Sequence, residues 1–360
     1  MPRPTLLLTL AMLPTVLWAQ ENTPAGVNFT HHDWELACDN TRTCRAAGYQ
    51  SDDDQLPVSV LLTRRAGPQQ PVTGQLKLGA LFDDSEQERL PDEFLVAMSI
   101  DGRELGEVEM RGEEWRGELS ANQLTALLAA LPGTSDIRWK YQEFEWHLSD
   151  SGASAVLLKM DDAQGRVGTP DALTKKGSRS ESKILPPLPM PVVVAAPLVP
   201  PQLDDPQRFA AQEAAIRASL RNAVLTDECS GLSESNDESQ PLEFNRLTSS
   251  KLLVSTTCWM AAYNMGDGYW VINDAPPYQP VPVTDSGSGF DNGTIVAGHK
   301  SRGLGDCWHT NSWTWDGVRF VHVEAISTGL CKGFAGGAWE LPELVMEVRG
   351  GERSGVGAGN

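Results

Sequence analysis

Short runs of alternating apolar and polar residues fill the first half of the chain. They lie at Trp34–Cys38, Val58–Leu62, Leu76–Ala80 and Phe94–Ile100. Because successive side chains of a strand point to opposite faces, this period of two predicts strands with one buried face each. Asp101-Gly102 follows the last run and predicts a tight hairpin turn.

Two helices are predicted late in this half. Leucines at four positions form one apolar stripe over Ala121–Leu131, Ser120 is placed to cap the first turn, and Pro132-Gly133 ends the helix. A second helix is predicted near Gly152–Asp162. Residues 27–174 are therefore expected to form an α+β domain that is rich in β-structure.

A proline-rich stretch divides the chain. Eight of its 24 prolines lie between Pro186 and Pro206, and such a run favours an extended polyproline II spacer over a core strand. The apolar Val192–Val194 within it predicts docking on a neighbouring surface, so the spacer is expected to be semi-rigid. The preceding Lys175–Lys183 is predicted to be mobile. We place the linker at residues 175–205.

The second half is predicted to be a helix followed by antiparallel strands, over residues 206–349. Asp204-Asp205-Pro206 supplies the signals of a helix start, and Asp316-Gly317 predicts a hairpin. Residues 350–360 are expected to be a disordered tail. The predicted strands are Lys251–Cys258, Tyr269–Ile272, Thr294–Ala297, Ser312–Trp315, Val318–Ala325 and Leu344–Val348.

The first 19 residues have the features of a secretory signal. Arg3 is the positive residue, Leu6–Leu17 is the apolar run, and cleavage is predicted after Ala19. A transmembrane anchor is the alternative, but the run is shorter than the roughly 20 apolar residues that span a bilayer. No later stretch is long enough to span a membrane, so a periplasmic or secreted location is expected.

Six cysteines then predict disulfides in an oxidising compartment. Six cysteines allow 15 pairings. We predict nearest-neighbour pairing, because the linker separates the first two cysteines from the other four. Zinc is the alternative, disfavoured by the absence of a Cys-x-x-Cys pair. No metal or cofactor is predicted, and the expected fold is α+β and β-rich, with two disulfide-stapled antiparallel-sheet domains. The predicted pairs are Cys38–Cys44, Cys229–Cys258 and Cys307–Cys331.

The formal net charge of -19 bears on possible partners. A polyanion such as nucleic acid or an anionic membrane would be repelled, whereas a cationic protein or cell-envelope component would be attracted. The alternative interpretation is that the acidity only keeps an exported protein soluble.

Three blocks of residues carry a resemblance. His31–Tyr49, Cys258–Asn264 and Gly303–Trp308 resemble a bacterial family of uncharacterised exported proteins with six cysteines. The resemblance covers nearly the whole chain beyond residue 19 and implies a shared fold and periplasmic location, with no established activity. Trp34–Cys44 is also similar to the invasion-associated locus B type proteins.

The densest polar segment is His299–His309. It combines the weak catalytic candidates His299, Asp306 and His309 with the binding candidates Lys300 and Arg302. A glycine-rich loop of this kind is typical of a binding or catalytic site. The alternative is an ordinary turn, in which Asp306 bonds backbone amides and the histidines are solvated.

Tryptophans are the second set of candidates. Trp313 and Trp315 are two residues apart on a predicted strand and should share a face. If they are exposed beside Trp308 and Trp339, the four could bind sugar rings or a protein partner. The alternative is that they fill a sheet core.

The sequence contains no G-x-S-x-G elbow, P-loop or H-E-x-x-H motif. We therefore expect a periplasmic or secreted, non-enzymatic binding or interaction protein. One alternative is a cell-envelope hydrolase that uses His299 or His309 with Asp306. The other is a structural or stress-tolerance envelope protein.

Overall fold

The computed structural model describes residues 26–79, 90–112, 114–225, 229–233 and 239–350. The predicted signal, Ala80 and the tail from residue 351 lie outside them. The described chain is β-rich, with antiparallel sheets, three α-helices and three disulfides. None of the described helices has the length and apolar character needed to cross a membrane.

Ten strands form one antiparallel sheet in the first half of the chain; numbered in chain order, they lie side by side as 1-2-3-4-5-8-7-6-9-10. Two helices, α1 (Ala121–Ala130) and α2 (Ala153–Ala163), share its core. The strands are β1 (Val27–His31), β2 (Trp34–Cys38), β3 (Cys44–Tyr49), β4 (Val58–Arg64), β5 (Val72–Leu78), β6 (Glu93–Ile100), β7 (Arg103–Arg111), β8 (Arg116–Glu118), β9 (Ile137–Tyr141) and β10 (Phe144–Leu148).

Local signals in this half act as predicted. Asp101 and Gly102 form the two-residue turn between β6 and β7, both with positive φ, because Ile100 pairs directly with Arg103. Ser120 caps α1: its Oγ accepts a hydrogen bond from the amide of Gln123, and the Gln123 side chain accepts one from the amide of Ser120.

Two sheets and one helix form three layers in the second half. Helix α3 (Asp205–Leu220) packs on one face of a four-stranded sheet, whose other face packs on a five-stranded sheet. The four strands are β12 (Glu243–Arg246), β13 (Lys251–Met260), β14 (Met265–Asn273) and β15 (Val281–Gly287). The five are β16 (Gly289–Asp291), β17 (Thr294–Lys300), β18 (Trp308–Trp315), β19 (Phe320–Ser327) and β20 (Leu341–Val345).

The proline-rich segment lies along the protein surface. Its Val192–Val194 forms β11, which pairs in parallel with β21 (Glu347–Arg349) in a two-stranded sheet. Val193 is buried, whereas Val192 and Val194 are exposed. The docking of these valines agrees with a semi-rigid spacer. The division into two domains stays a prediction.

The segment Lys175–Lys183 is tied to the chain before it, because the carbonyl of Lys175 and the amides of Gly177 and Arg179 are hydrogen-bonded to Gly168 and Thr169. Its mobility stays a prediction. One strand prediction is wrong in detail. The predicted strand Leu344–Val348 is instead two strands, β20 and β21, that pair with different neighbours.

The hairpin at Asp316-Gly317 exists, but its loop has four residues because Trp315 pairs with Phe320. Asp316 accepts hydrogen bonds from the amides of Val318 and Arg319, which holds both residues in the turn. Val318 therefore lies before β19 rather than in it.

The largest departure from the sequence pattern is at Trp34–Cys38, where all five residues are buried. The sheet face that was expected to meet solvent is covered by Thr328–Leu341, which we call the strap. The strap follows β19 and ends at Leu341, the first residue of β20. Its aromatic residues pack on Ala37, Ala47, Tyr49 and Leu61. In this part of the sheet both faces are therefore buried, one in the core that the sheet shares with α2 and the other under the strap.

Polar contacts also fasten the strap to the first sheet. The indole Nε1 of Trp339 donates to Ser59 Oγ at 2.7 Å, and the amide of Leu330 donates to Glu35 Oε1 at 2.7 Å. Tyr49 Oη donates to the same carboxylate oxygen at 2.6 Å. Burial raises the pKa of Glu35 and, together with that carboxyl group, the pKa of Tyr49.

Candidate functional site

The predicted polar loop His299–His309 is largely a hairpin. β17 continues to Lys300 and β18 begins at Trp308, so His299 pairs directly with His309 across the two strands. Only residues 301–307 connect the strands. The sequence composition suggested a longer loop because glycine and polar residues are common in both settings.

Asp306 is completely buried at the base of this connection. It accepts a 2.7 Å hydrogen bond from Arg302 Nε and a second bond from Arg302 Nη2, and the amide of Gly333 in the strap donates to it at 2.8 Å. Burial by itself would raise the pKa of Asp306, but these hydrogen bonds hold it below its ordinary value. Asp306 therefore joins the loop to the strap.

The two histidines of this segment make their contacts with groups other than Asp306. His299 Nε2 donates to the carbonyl of Ser286 at 2.7 Å, and its ring lies 5.3 Å from the ring of Trp259. His309 is exposed. Among the described residues, neither histidine hydrogen-bonds to Asp306. The structure thus does not assemble these three side chains into an acid–base group.

The disulfides give this region its covalent frame. Cys307 in the connection is bonded to Cys331 in the strap. The other two disulfides join Cys38 to Cys44 and Cys229 to Cys258, which is the nearest-neighbour pairing. Among the described residues, the one cluster close enough to bind a metal is Asp306 with Cys307 and Cys331, and those two sulfurs are already bonded to each other.

The candidate tryptophans do not form one exposed surface. Trp315 is buried between the two sheets of the second half, and Trp339 of the strap is buried against the first sheet. Trp313 is half-buried and stacks on His322 at 4.9 Å. Trp308 is also half-buried, and its Nε1 donates to the carbonyl of Gly305.

Sequence reasoning missed a surface that combines two of the three resemblance blocks. The turn of the β13–β14 hairpin, Met260–Met265, lies against the connection Lys300–Gly305; together we call them the tip. A Cβ atom added to Gly303 would lie 3.5 Å from the ring of Tyr263. Two of the resemblance blocks, Cys258–Asn264 and Gly303–Trp308, each cover part of one segment and were the available signal, but no local pattern predicted that the segments would meet.

Hydrogen bonds hold the two parts of the tip together. Asn264 donates from Nδ2 to the carbonyl of Lys300 at 2.8 Å and accepts through Oδ1 from the amide of Lys300 at 3.0 Å. Tyr263 Oη donates to the carbonyl of Ser301 at 3.4 Å. The tip is therefore fixed at its base by Asn264, by the Arg302–Asp306 ion pair and by the Cys307–Cys331 disulfide.

The tip nevertheless exposes large apolar side chains. The exposed fractions are 76% for Met260, 48% for Tyr263, 45% for Met265 and 55% for Leu304. Scattered single apolar residues on a surface are ordinary, whereas several on one fixed feature make the tip a candidate interaction surface.

A concave region with a volume of about 290 Å³ lies on the surface of the first half. His147 lies there between two carboxylates, with Nδ1 3.4 Å from Asp54 and Nε2 3.3 Å from Asp136. Ser51 donates to Asp54 rather than to His147. These contacts place His147 between two carboxylates on the surface and do not place a serine nucleophile beside its base.

Comparisons with known proteins support the part of the resemblance that concerns an uncharacterised family. The family model described as "Protein of unknown function (DUF1176)" matches residues 28–346. The "Uncharacterized protein YpfG" of Escherichia coli (strain K12) is 28% identical over 364 residues, which cover 93% of this chain and 96% of that protein. No solved structure matches the chain. Since the family model spans most of the sequence, the chain belongs to the family of proteins of unknown function DUF1176.

Proposed function

We propose that this protein is an exported, non-enzymatic interaction protein that binds another polypeptide of the cell envelope through the tip. One observation carries the proposal: Met260, Tyr263, Met265 and Leu304 are exposed together on a feature that is rigidly fastened beneath them. Large apolar side chains grouped on one fixed surface feature are typical of protein–protein contact sites.

The energetics of the tip suit binding. Full burial of a single Met or Leu side chain contributes about 1.5–3 kcal/mol. Methionine is flexible and adapts to irregular partner surfaces, and tyrosine offers a large apolar ring with one polar atom. Because the base of the tip is already ordered by Asn264 and by the disulfide, little further ordering of the backbone is needed on association.

Three disulfides and the predicted signal over residues 1–19 support an extracytoplasmic location. We propose that the protein acts in the periplasm or after secretion. The similarity of Trp34–Cys44 to invasion-associated locus B type proteins stays a prediction.

The hydrolase hypothesis has less support. Asp306 would have to orient or activate a histidine, yet both of its oxygens are used by Arg302 and by the amide of Gly333. A purely structural envelope protein accounts for the strap and the buried tryptophans, but it gives no reason for the exposed side chains of the tip.

Photo-crosslinking in intact cells tests the tip directly. A photoreactive amino acid at position 260 or 304 should give a discrete crosslinked protein product, because both side chains would face the partner. The same residue at Val318, which is 79% exposed on the β18–β19 loop, is the matched control and should give none.

A second substitution links the product to the tip. Leu304→Ser should weaken the crosslink formed from position 260 while leaving the melting temperature nearly unchanged, since an exposed side chain contributes little to folding. Equal products from positions 260, 304 and 318, or no dependence on Leu304, would contradict the proposal.

A further inference from the structure

The charges of the tip differ from those of the whole chain. The protein has 48 acidic and 29 basic residues, but Met260–Met265 and Lys300–Gly305 contain no carboxylate. Their two charged residues are Lys300 and Arg302. The apolar surface is thus bordered by cations within a strongly acidic protein.

The two cations are not equivalent. Arg302 is paired with the buried Asp306, and it also feels the charge of Asp52. Lys300 forms no ion pair with a described residue; its ammonium lies 5.2 Å from the centre of the Trp308 ring. The ring attracts the ammonium but does not neutralise it. Lys300 therefore remains able to bind a carboxylate.

The distance between a charge and a bound partner group decides whether that charge acts on the group. At physiological ionic strength the Debye length is about 8 Å, so exposed charges farther than this from a bound group are largely screened. The ammonium of Lys300 would lie 3.9 Å from a Cβ atom added to Gly305, next to Leu304. A partner residue seated on Leu304 therefore responds mainly to Lys300. The net charge of -19 acts on the approach of a partner more than on the bound contact.

We propose that the tip selects a polypeptide segment that carries a carboxylate beside its apolar contact residues, and that Lys300 binds this carboxylate. The inference rests on the proposed function, because it assigns the partner chemistry of the same surface. It replaces the expectation of a cationic partner, which was based on net charge alone, with an apolar and acidic contact segment.

Three short synthetic peptides provide the test. They share two leucines and differ only in the residues that flank them, which are Glu, Gln or Lys. Their binding to the full chain would be measured by fluorescence anisotropy at physiological salt. The Glu peptide should bind about 3-fold more tightly than the Gln peptide and more tightly still than the Lys peptide, as expected for one partly exposed ion pair.

Lys300→Gln should remove the difference between the Glu and Gln peptides. Lys140→Gln is the matched control, because Lys140 is an exposed lysine on β9 of the other half, and it should leave the difference intact. A third variant, Met260→Ser with Leu304→Ser, should weaken the binding of all three peptides.

The outcomes separate the two proposals. If all peptides bind equally and all need Met260 and Leu304, the tip is a binding surface but the selection of carboxylates is wrong. Preference for the Lys peptide would likewise overturn the selection and favour control by net charge. Binding that does not depend on Met260 and Leu304, or no binding by any peptide, would count against both proposals.

Discussion

Replacing Trp339 by alanine should lower the free energy of unfolding by about 3–5 kcal/mol, as large-to-small substitutions of buried aromatic residues do. Trp339 is 4% exposed and packs between the strap and the outer face of the first sheet. Its indole also donates to Ser59 Oγ at 2.7 Å. The substitution removes the packing and the hydrogen bond together. Urea-induced unfolding followed by tryptophan fluorescence and circular dichroism measures the loss.

Trp339→Phe is the companion variant. It keeps most of the ring and removes the hydrogen bond to Ser59, so it should cost nearer 1–3 kcal/mol and should fold even if the alanine variant does not. A cost below about 1 kcal/mol for Trp339→Ala would contradict the docking of the strap, because an exposed tryptophan contributes little to stability.

Replacing Arg246 by methionine should also cost about 3–5 kcal/mol, because it leaves a buried carboxylate without its partner. Arg246 Nε donates to Asp205 at 2.9 Å, and its Nη1 lies 3.3 Å from Asp274. Both Arg246 and Asp205 are about 5% exposed or less. The hydrogen bond from Arg246 holds the pKa of Asp205 well below its usual range. Thermal and urea unfolding of the variant give the cost.

A double variant separates the lost charge pair from general damage. Adding Asp205→Asn to Arg246→Met removes the unpaired charge and should recover part of the lost stability. The recovery should be incomplete, because Asp205 also accepts hydrogen bonds from the amide of Gln202 and from Arg208. If the double variant is less stable than the sum of the two single effects predicts, the ion pair is not the source of the loss.

The parts of the fold that depend on neighbouring residues could be predicted from the sequence. The Asp101-Gly102 turn and the Ser120 cap depend on contacts between residues no more than four positions apart. The alternating strands need only a pleated backbone. The disulfide pairing could be predicted because the linker sets the first two cysteines apart and nearest-neighbour pairing gives the other two bonds.

Contacts between distant segments could not be predicted in this way. The hydrogen bond from Leu330 to Glu35 joins residues 295 positions apart, and no property of Trp34–Cys38 shows that a strap will cover its outer face. For the same reason, Asp306 looked like a catalytic candidate. Its role depends on Arg302 and on the strap residue Gly333, which one local segment does not reveal.

The tip could not be predicted from the sequence for the same reason. Met260 and Leu304 lie in separate segments, and their exposure follows from how the β13–β14 turn meets the β17–β18 connection. Side-chain type alone would place methionine and leucine in a core. Only the three-dimensional arrangement turns these residues into a candidate binding surface.

Methionine footprinting is the most direct test of the claim that the tip is covered by a partner. Met260 and Met265 of the tip are 76% and 45% exposed, and Met190 of the proline-rich segment is 49% exposed and serves as the internal control. In the isolated protein all three should be oxidised readily. In intact cells Met260 and Met265 should be protected, while Met190 is oxidised as before. Equal oxidation of the tip methionines in cells and in the isolated protein would contradict it.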